Sequence, residues 1–270
     1  MGSDVTRLID IEAIVRGRLG TRARYVPGFV FSWLRRFIHE DYINGYLQEG
    51  RKGVDFCQGV LDHLGVTVSV EGRENLPAGD RQYTFVSNHP LGAIDGVTLG
   101  SVLGSAYGER VKYLVNDLLM NLEGLAPLCV PINKVGRQRR SLSEDVENAF
   151  ASSDHIIIFP AGLCSRKRDG VIRDVAWGKT FVKKSVEHHR DVVPIHFLGE
   201  NSPRFYRVAT WCERLRLPNV AMALLPDEMY RSRGKHFTVR IGKAIPWQTF
   251  DKTKTSTQWA DYVQKIVYEL

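Results

Sequence analysis

The chain has 270 residues, 43% of them hydrophobic and 25% charged, enough for one large core with an appended helical region. Its 37 lysines and arginines outnumber 30 acidic residues, for a formal charge of +7, and that excess favours an anionic partner, either nucleic acid or an anionic lipid surface. Cys57, Cys129, Cys164 and Cys212 are scattered and form no C-x-x-C pair, so neither a zinc site nor a disulfide framework is indicated, and a reducing compartment suits them.

At the N-terminus, Asp4, Arg7, Asp10 and Glu12 stand where a signal peptide would need an apolar stretch. No segment approaches the roughly 18 to 20 apolar residues needed to span a bilayer, so the expectation is a protein neither secreted by a signal peptide nor integral to a membrane. Met1 to Thr6 fits an N-myristoylation pattern too short to carry weight.

Residues 5 to about 66 read as helical. Phe29, Val30, Trp33, Leu34, Phe37 and Ile38 fall on one face with Ser32, Arg35 and Arg36 opposite, after punctuation by Pro27 and Gly28. Such a stripe can cover the rest of the protein or lie in a membrane interface.

From Val66 the texture changes to short β-branched or aromatic runs, which predict strands at 66–70, 83–87, 111–115, 128–132, 155–159, 192–198 and 237–241. Helices are predicted at 95–107, 141–151, 177–188, 203–215 and 257–270, the second opened by a capping box of Ser141 and Glu144. The last carries Trp259, Tyr262, Val263, Ile266, Val267 and Leu270 on one face. This alternation predicts an α/β fold: a mixed, largely parallel sheet covered by helices, with an N-terminal helical region. No repeat or low-complexity linker interrupts it, so the expected division is a helical region over 1–65 and a catalytic domain over 66–270.

The segment richest in chemistry runs from Tyr83 through Asn88-His89-Pro90-Leu91-Gly92-Ala93-Ile94-Asp95, an apolar strand passing into a histidine, a turn and an aspartate. On a continuous helix, residues six apart lie about 240° around the axis and would not meet. Pro90 keeps His89 out of the helical region, and Gly92 permits a tight bend that can return Asp95 to the imidazole. A carboxylate on one ring nitrogen fixes the tautomer that leaves the other free to accept a proton. The same residues also fit a loop histidine followed by a helix-capping aspartate. Asn88 fits a residue that helps set the loop, a donor to an oxyanion, or an Asx-turn.

Asn88-His89 and Asp95, followed by Phe159-Pro160-Ala161-Gly162-Leu163-Cys164-Ser165-Arg166, resemble two signature blocks of the lysophosphatidic-acid-acyltransferase-like glycerolipid acyltransferases, over roughly residues 66–245. That family places four residues between its His and Asp and writes its second block Phe-Pro-Glu-Gly-Thr-Arg-Ser. The five residues here, and Ala161 in the glutamate position, resemble its hemolysin-related branch, whose members include O-acyltransferases completing ornithine and glycine lipids from lyso precursors.

The resemblance implies that His89 is the general base and Asp95 its orienting partner, with acyl-carrier protein or coenzyme A delivering the acyl thioester as co-substrate and no bound cofactor. The acceptor expected is an anionic lyso-lipid, an amino-acid lipid ahead of lysophosphatidic acid because of Ala161. Leu128 to Lys134 is similar to the family's middle block, making Lys134 and Arg137 the expected head-group contacts. Val192-Val193-Pro194-Ile195 resembles its fourth, largely structural block. Within the second block, Phe159, Pro160 and Gly162 build a turn at a strand end, and Ser165 and Arg166 begin a basic run that could hold an anion or be solvated surface. Substrate and product of such an enzyme reside in a bilayer, so a peripheral site on the cytoplasmic face of the cell membrane is expected, reached through the N-terminal helices and basic surface.

Competing chemistries find less in the residues. A hydrolase using Cys164 as nucleophile lacks a nucleophile elbow, and no G-x-S-x-G occurs. Trp177-Gly178-Lys179-Thr180 has Arg173 where a P-loop needs glycine. Arg137 to Arg140, Arg166 to Arg168 and Arg231 to Lys235 are basic but accompany no nucleic-acid-binding motif, so no nucleic-acid partner is expected. No metal site is expected either, since the histidines show no ligand-pair spacing, and His188 and His189 read as solvated residues near a helix C-terminus.

Overall fold

The structure, a computed structural model, describes residues 8–115, 122–131, 139–217 and 219–270. Four helices come first: α1 Ile11–Leu19, α2 Gly28–Phe37, α3 Glu40–Leu47 and α4 Gly53–Leu64. Strands β1 Thr67–Glu71 and β2 Tyr83–Ser87 follow, then α5 Ile94–Tyr107, β3 Val111–Val115, β4 Cys129–Pro131 and α6 Arg139–Ala151. Next come β5 His155–Ile158, β6 Arg166–Arg168, β7 Val171–Arg173, α7 Thr180–Glu187 and β8 Asp191–Leu198. The chain finishes with α8 Pro203–Arg214, α9 Leu225–Arg231, β9 His236–Ile241 and α10 Ser256–Glu269.

Among the described residues the main sheet has seven strands in the order β1-β9-β8-β2-β5-β3-β4. Every neighbouring pair is parallel except β8 with β9, so the mixed, largely parallel sheet read from the sequence is what forms. The central strands β2 and β5 are buried along their whole length, as expected of parallel strands covered on both faces. Alternation within β2 divides the core: Phe85 joins Phe56, Leu61 and Leu64 of α4 with Leu99 and Leu103 of α5. Val86 points the other way, to Phe150 of α6, Phe181 of α7 and Trp259, Val263 and Val267 of α10. Both β8 and β5 lie parallel to β2, so the loops leaving these three strands gather at one end of the sheet, where α/β folds usually hold their ligands.

Several expectations need correction. On α2 the buried side chain is Phe31, covered by the Arg16 guanidinium 4.5 Å from its ring centre, while Phe29 and Trp33 face outward. The apolar stripe is therefore rotated about one residue from the predicted face, because α1 lies against α2. Helix α6 already includes Arg139 and Arg140, so Ser141 lies inside it and not at its start. Helix α7 starts at Thr180, three residues late, because Trp177 turns its indole back to Asp174. Tyr262 is half out of the face predicted for α10. Both histidines follow the end of α7 as expected; His189 is exposed and stacks on Trp247, whereas His188 is half-buried and paired with Glu147 at 2.9 Å, so it alone departs from the solvated reading. The sequence does not indicate the antiparallel hairpin β6–β7, since its strands are three residues each and β6 is wholly basic.

Candidate active site

The loop after β2 is held on both sides. Asn88 acts as a piece of surrogate backbone: its Oδ1 accepts the Phe197 N–H at 2.7 Å and its Nδ2 donates to the Phe197 carbonyl at 2.9 Å, tying the loop to the end of β8. The amide thus sets the loop, the first of the three readings open to it from the sequence, and is committed to neither an Asx-turn nor an oxyanion. Beyond it, Asn201 Nδ2 donates to the Pro90 carbonyl at 3.1 Å. Gly92 takes φ +81°, and a Cβ there would stand 2.3 Å from Cys164 Sγ, so the bend needs glycine for conformation and for space.

That bend brings Asp95 back to His89, with Asp95 Oδ2 3.0 Å from His89 Nδ1. The carboxylate sits in the first turn of α5, fully buried, and also accepts the N–H groups of Leu91 at 2.9 Å, Gly92 at 3.1 Å and Gly96 at 2.9 Å. Burial works against its ionisation, but the charge and hydrogen bond of His89 and these backbone donors hold it below the usual carboxylate range. Burial likewise opposes protonation of His89, yet the Asp95 charge and hydrogen bond, with the Asp174 carboxylate behind, hold the imidazole above its ordinary value. The pair is thus built to stabilise an imidazolium once a proton arrives. Nδ1 is taken by Asp95, so Nε2 remains as the nitrogen able to receive that proton.

A third carboxylate, absent from the sequence reading, fixes the backbone of His89. Asp174 accepts the His89 N–H at 3.2 Å through both oxygens, the Ser165 hydroxyl at 2.6 Å and the Trp177 indole N–H at 2.9 Å. Ser165 closes the loop by donating its own N–H to the His89 carbonyl at 2.9 Å. Burial pushes the Asp174 carboxyl above its ordinary value against the pull of these donors. The sequence signal was slight: an acid just after the basic hairpin, with Trp177 three residues on.

His89 and Phe159 stack with ring centres 4.1 Å apart, and both line a cavity of about 290 Å³ that also touches Gly162. Its far walls come from α3 and α4, through Tyr42, Tyr46 and His63, and from Met229 of α9. Most of its lining is aliphatic or aromatic, which the sequence could not reveal because the contributing residues are scattered over nearly two hundred positions.

The remaining predicted residues fall in different places. Pro160 makes the turn, its carbonyl accepting the Gly178 N–H, and Gly162 N–H returns to the Phe159 carbonyl. Ser165 is buried in the scaffold just described. Arg166 is also buried: Nη1 donates to the Cys164 carbonyl at 2.7 Å and Nε lies 3.3 Å from Glu213. Lys134 and Arg137 lie outside the described residues. Cys164 is buried beneath Gly92, and desolvation pushes its thiol up to about 12. Little thiolate would exist near neutrality, as a thiol nucleophile requires.

Residues 14–270 match a family model described as Acyltransferase. Two relatives named lyso-glycine lipid O-acyltransferase, from Phocaeicola vulgatus and Bacteroides thetaiotaomicron, are each 54% identical over 273 residues. Each alignment covers all of this chain, with 98% of the first and 100% of the second. Among solved structures, the 1-acyl-sn-glycerophosphate (LPA) acyltransferase PlsC from Thermotoga maritima superposes with a TM-score of 0.50 and 17% identity, over 96% of this chain and 93% of that one. That likeness concerns the fold. By the match along nearly its whole length, and by the two full-length relatives, the chain belongs to the acyltransferase family.

Proposed function

We propose that the protein moves a fatty acyl group from a thioester, acyl-carrier protein or coenzyme A, to the free hydroxyl of an anionic lyso-lipid, a lyso-glycine lipid first. The observation that carries this is the His89–Asp95 pair set in the wall of an apolar cavity; the names of the two relatives supply the acceptor class. His89 Nε2 takes the proton as the acceptor oxygen attacks the thioester carbonyl, while Asp95 stabilises the imidazolium. The tetrahedral intermediate collapses with loss of the C–S bond, and the imidazolium returns its proton to the departing sulfur, giving an ester and a free thiol. No covalent enzyme intermediate is needed once the two substrates are held together. The cavity takes an acyl chain, whose apolar surface matches its lining.

No helix among the described residues is long and apolar enough to cross a membrane, and the proposed association with the cytoplasmic face of the cell membrane is peripheral. The test is an acceptor panel: purified protein with acyl-coenzyme A or acyl-carrier protein, offered lyso-glycine lipid, lyso-ornithine lipid or lysophosphatidic acid, with products read by mass spectrometry. Formation of diacylated glycine lipid above the others supports the reading; preferred esterification of lysophosphatidic acid, or release of free fatty acid alone, refutes it.

A further inference from the structure

The C-terminal half of α8 and the turn beyond it expose large apolar side chains in unusual density. Trp211 is 63% and Leu215 67% exposed, and Leu217, Val220 and Met222 are exposed as well. The buried face of α8 carries Phe205, Tyr206, Ala209 and Cys212. Arg207, Trp211, Arg214 and Leu215 occupy the opposite face at the i, i+4, i+7, i+8 spacing of one helical stripe. Between residues 203 and 217 four arginines meet one acid, Glu213; Arg204 turns to Asp227 at 3.4 Å, which leaves Arg207, Arg214 and Arg216 beside the apolar tips, and Glu213 is already within 3.4 Å of Arg166 and Arg168.

The element is held from beneath. Ser202 caps α8 and hydrogen-bonds Glu228 of α9, and the Leu217 N–H returns to the Cys212 carbonyl at 2.9 Å after Arg216 takes a left-handed turn. Helix α2 packs against the buried face of α8. Phe37 packs on the cluster under α8, Arg204 lies 5.0 Å over the Phe37 ring, and Trp33 stacks on Phe37 at 5.2 Å. Trp33 and its neighbour Phe29, 73% exposed, form a separate exposed apolar pair on α2. At its inner edge the segment reaches the site: Leu225 stands against Gly92, and Met229 lines the cavity beside His89.

We propose that this surface, centred on Trp211, Leu215, Leu217, Val220 and Met222, is an insertion wedge for an anionic lipid bilayer. A tryptophan, aliphatic tips and flanking arginines on one face suit the boundary between head groups and acyl chains, with the charges on lipid phosphates or carboxylates. A second copy meets this patch poorly, because a two-fold contact would set its arginines against themselves. An acidic carrier protein would answer the charges but gives five apolar side chains no apolar medium. The wedge rests on the lipid-acceptor reading above and deepens it: seated this way, the cavity opens beside the leaflet and the acceptor chain need not cross water.

The test uses the full chain with vesicles of phosphatidylcholine, alone or mixed with phosphatidylglycerol, in sedimentation assays. The variant Trp211→Ser/Leu215→Ser/Leu217→Ser should bind the mixed vesicles at least about tenfold more weakly than the wild type. Its rate toward a short-chain, water-soluble acceptor should be unchanged, which also certifies its fold. Quenching of tryptophan fluorescence by brominated lipid should fall in Trp211→Phe. Equal vesicle binding by wild type and triple variant overturns the wedge, as does a wild-type dimer that the triple variant converts to monomer, or vesicle binding lost only with Trp33→Ser/Phe29→Ser. A wild type that sediments with vesicles through the wedge but acylates no lyso-lipid would instead sink the functional reading and leave the wedge standing.

Discussion

Replacing Asp174 by asparagine perturbs the site without touching either member of the His–Asp pair. The carboxylate accepts from the His89 N–H, the Ser165 hydroxyl and the Trp177 indole. Asparagine keeps one oxygen and turns the other acceptor into an NH2, so at least one buried donor loses its partner. A donor left unsatisfied costs about 1–3 kcal/mol, and losing a charge-assisted bond places the total near the upper end. For a chain of this size that is a fall in Tm of roughly 5–10 °C. The change also frees the peptide of His89, and a displacement of the base by about 1 Å is enough for a hundredfold loss of rate. Removing the Asp174 charge takes away one of the influences that raise the His89 pKa, so the acid limb of the kcat/KM profile should move to lower pH. Initial acyl-transfer rates across pH, beside denaturant unfolding, read all three effects. An Asp174→Asn enzyme with wild-type stability, rate and pH profile would refute the positioning role; a loss of stability alone, with the profile unmoved, would reduce it to a structural one.

Asp95→Asn removes the larger influence raising His89, so its residual activity should show an acid limb at lower pH than the wild type as well as a reduced kcat; an unchanged midpoint would contradict the pairing. Stability should follow the same pair. His89, raised in the fold, stabilises fully below its unfolded pKa near 6.5 and loses that contribution as pH rises through the folded value, whereas Asp95, lowered, contributes above its unfolded value near 3.8 and loses it as pH falls. The deficit of His89→Ala in urea unfolding should therefore be largest between those two pH values and shrink above neutrality. Gly92→Ala places a Cβ 2.3 Å from Cys164 Sγ at positive φ and should cost on the order of 2–4 kcal/mol with a collapse of activity, measured by thermal unfolding and rate together. Cys164→Ser should keep acyl transfer within about threefold, since the thiol is buried and held protonated; loss of turnover in a folded variant would revive the thiol nucleophile.

The sheet was legible because its strands are apolar runs that helices cover on both faces. All seven predicted runs form strands to within a residue or two, apart from the part of 128–132 that lies outside the described residues. What escaped were features set by contacts distant in sequence. Three-residue strands such as the basic β6 and its partner β7 are too short to carry a periodic signal. The rotation of α2 depends on α1 lying beside it, and the late start of α7 on Trp177 reaching Asp174. In the site, the motif named His89 and Asp95, and local stereochemistry at Pro90 and Gly92 explained how they could meet. The same motif placed Ser165 and Arg166 among the substrate contacts; their burial against Asp174 and Glu213 shows that such blocks also hold the loops of a site together. Asp174 and the cavity lining from α3 and α4 could not be read, because neither stands next to the motif in the chain.

The central claim is that His89 takes the proton from the acceptor hydroxyl, and it is tested most directly by the rate of diacyl-lipid formation in purified His89→Ala, with folding confirmed by circular dichroism and an unfolding transition. Losing a general base predicts a fall in kcat of about 10²–10⁴-fold with little change in the apparent affinity for the acyl thioester. A folded His89→Ala protein turning over at the wild-type rate would contradict the account.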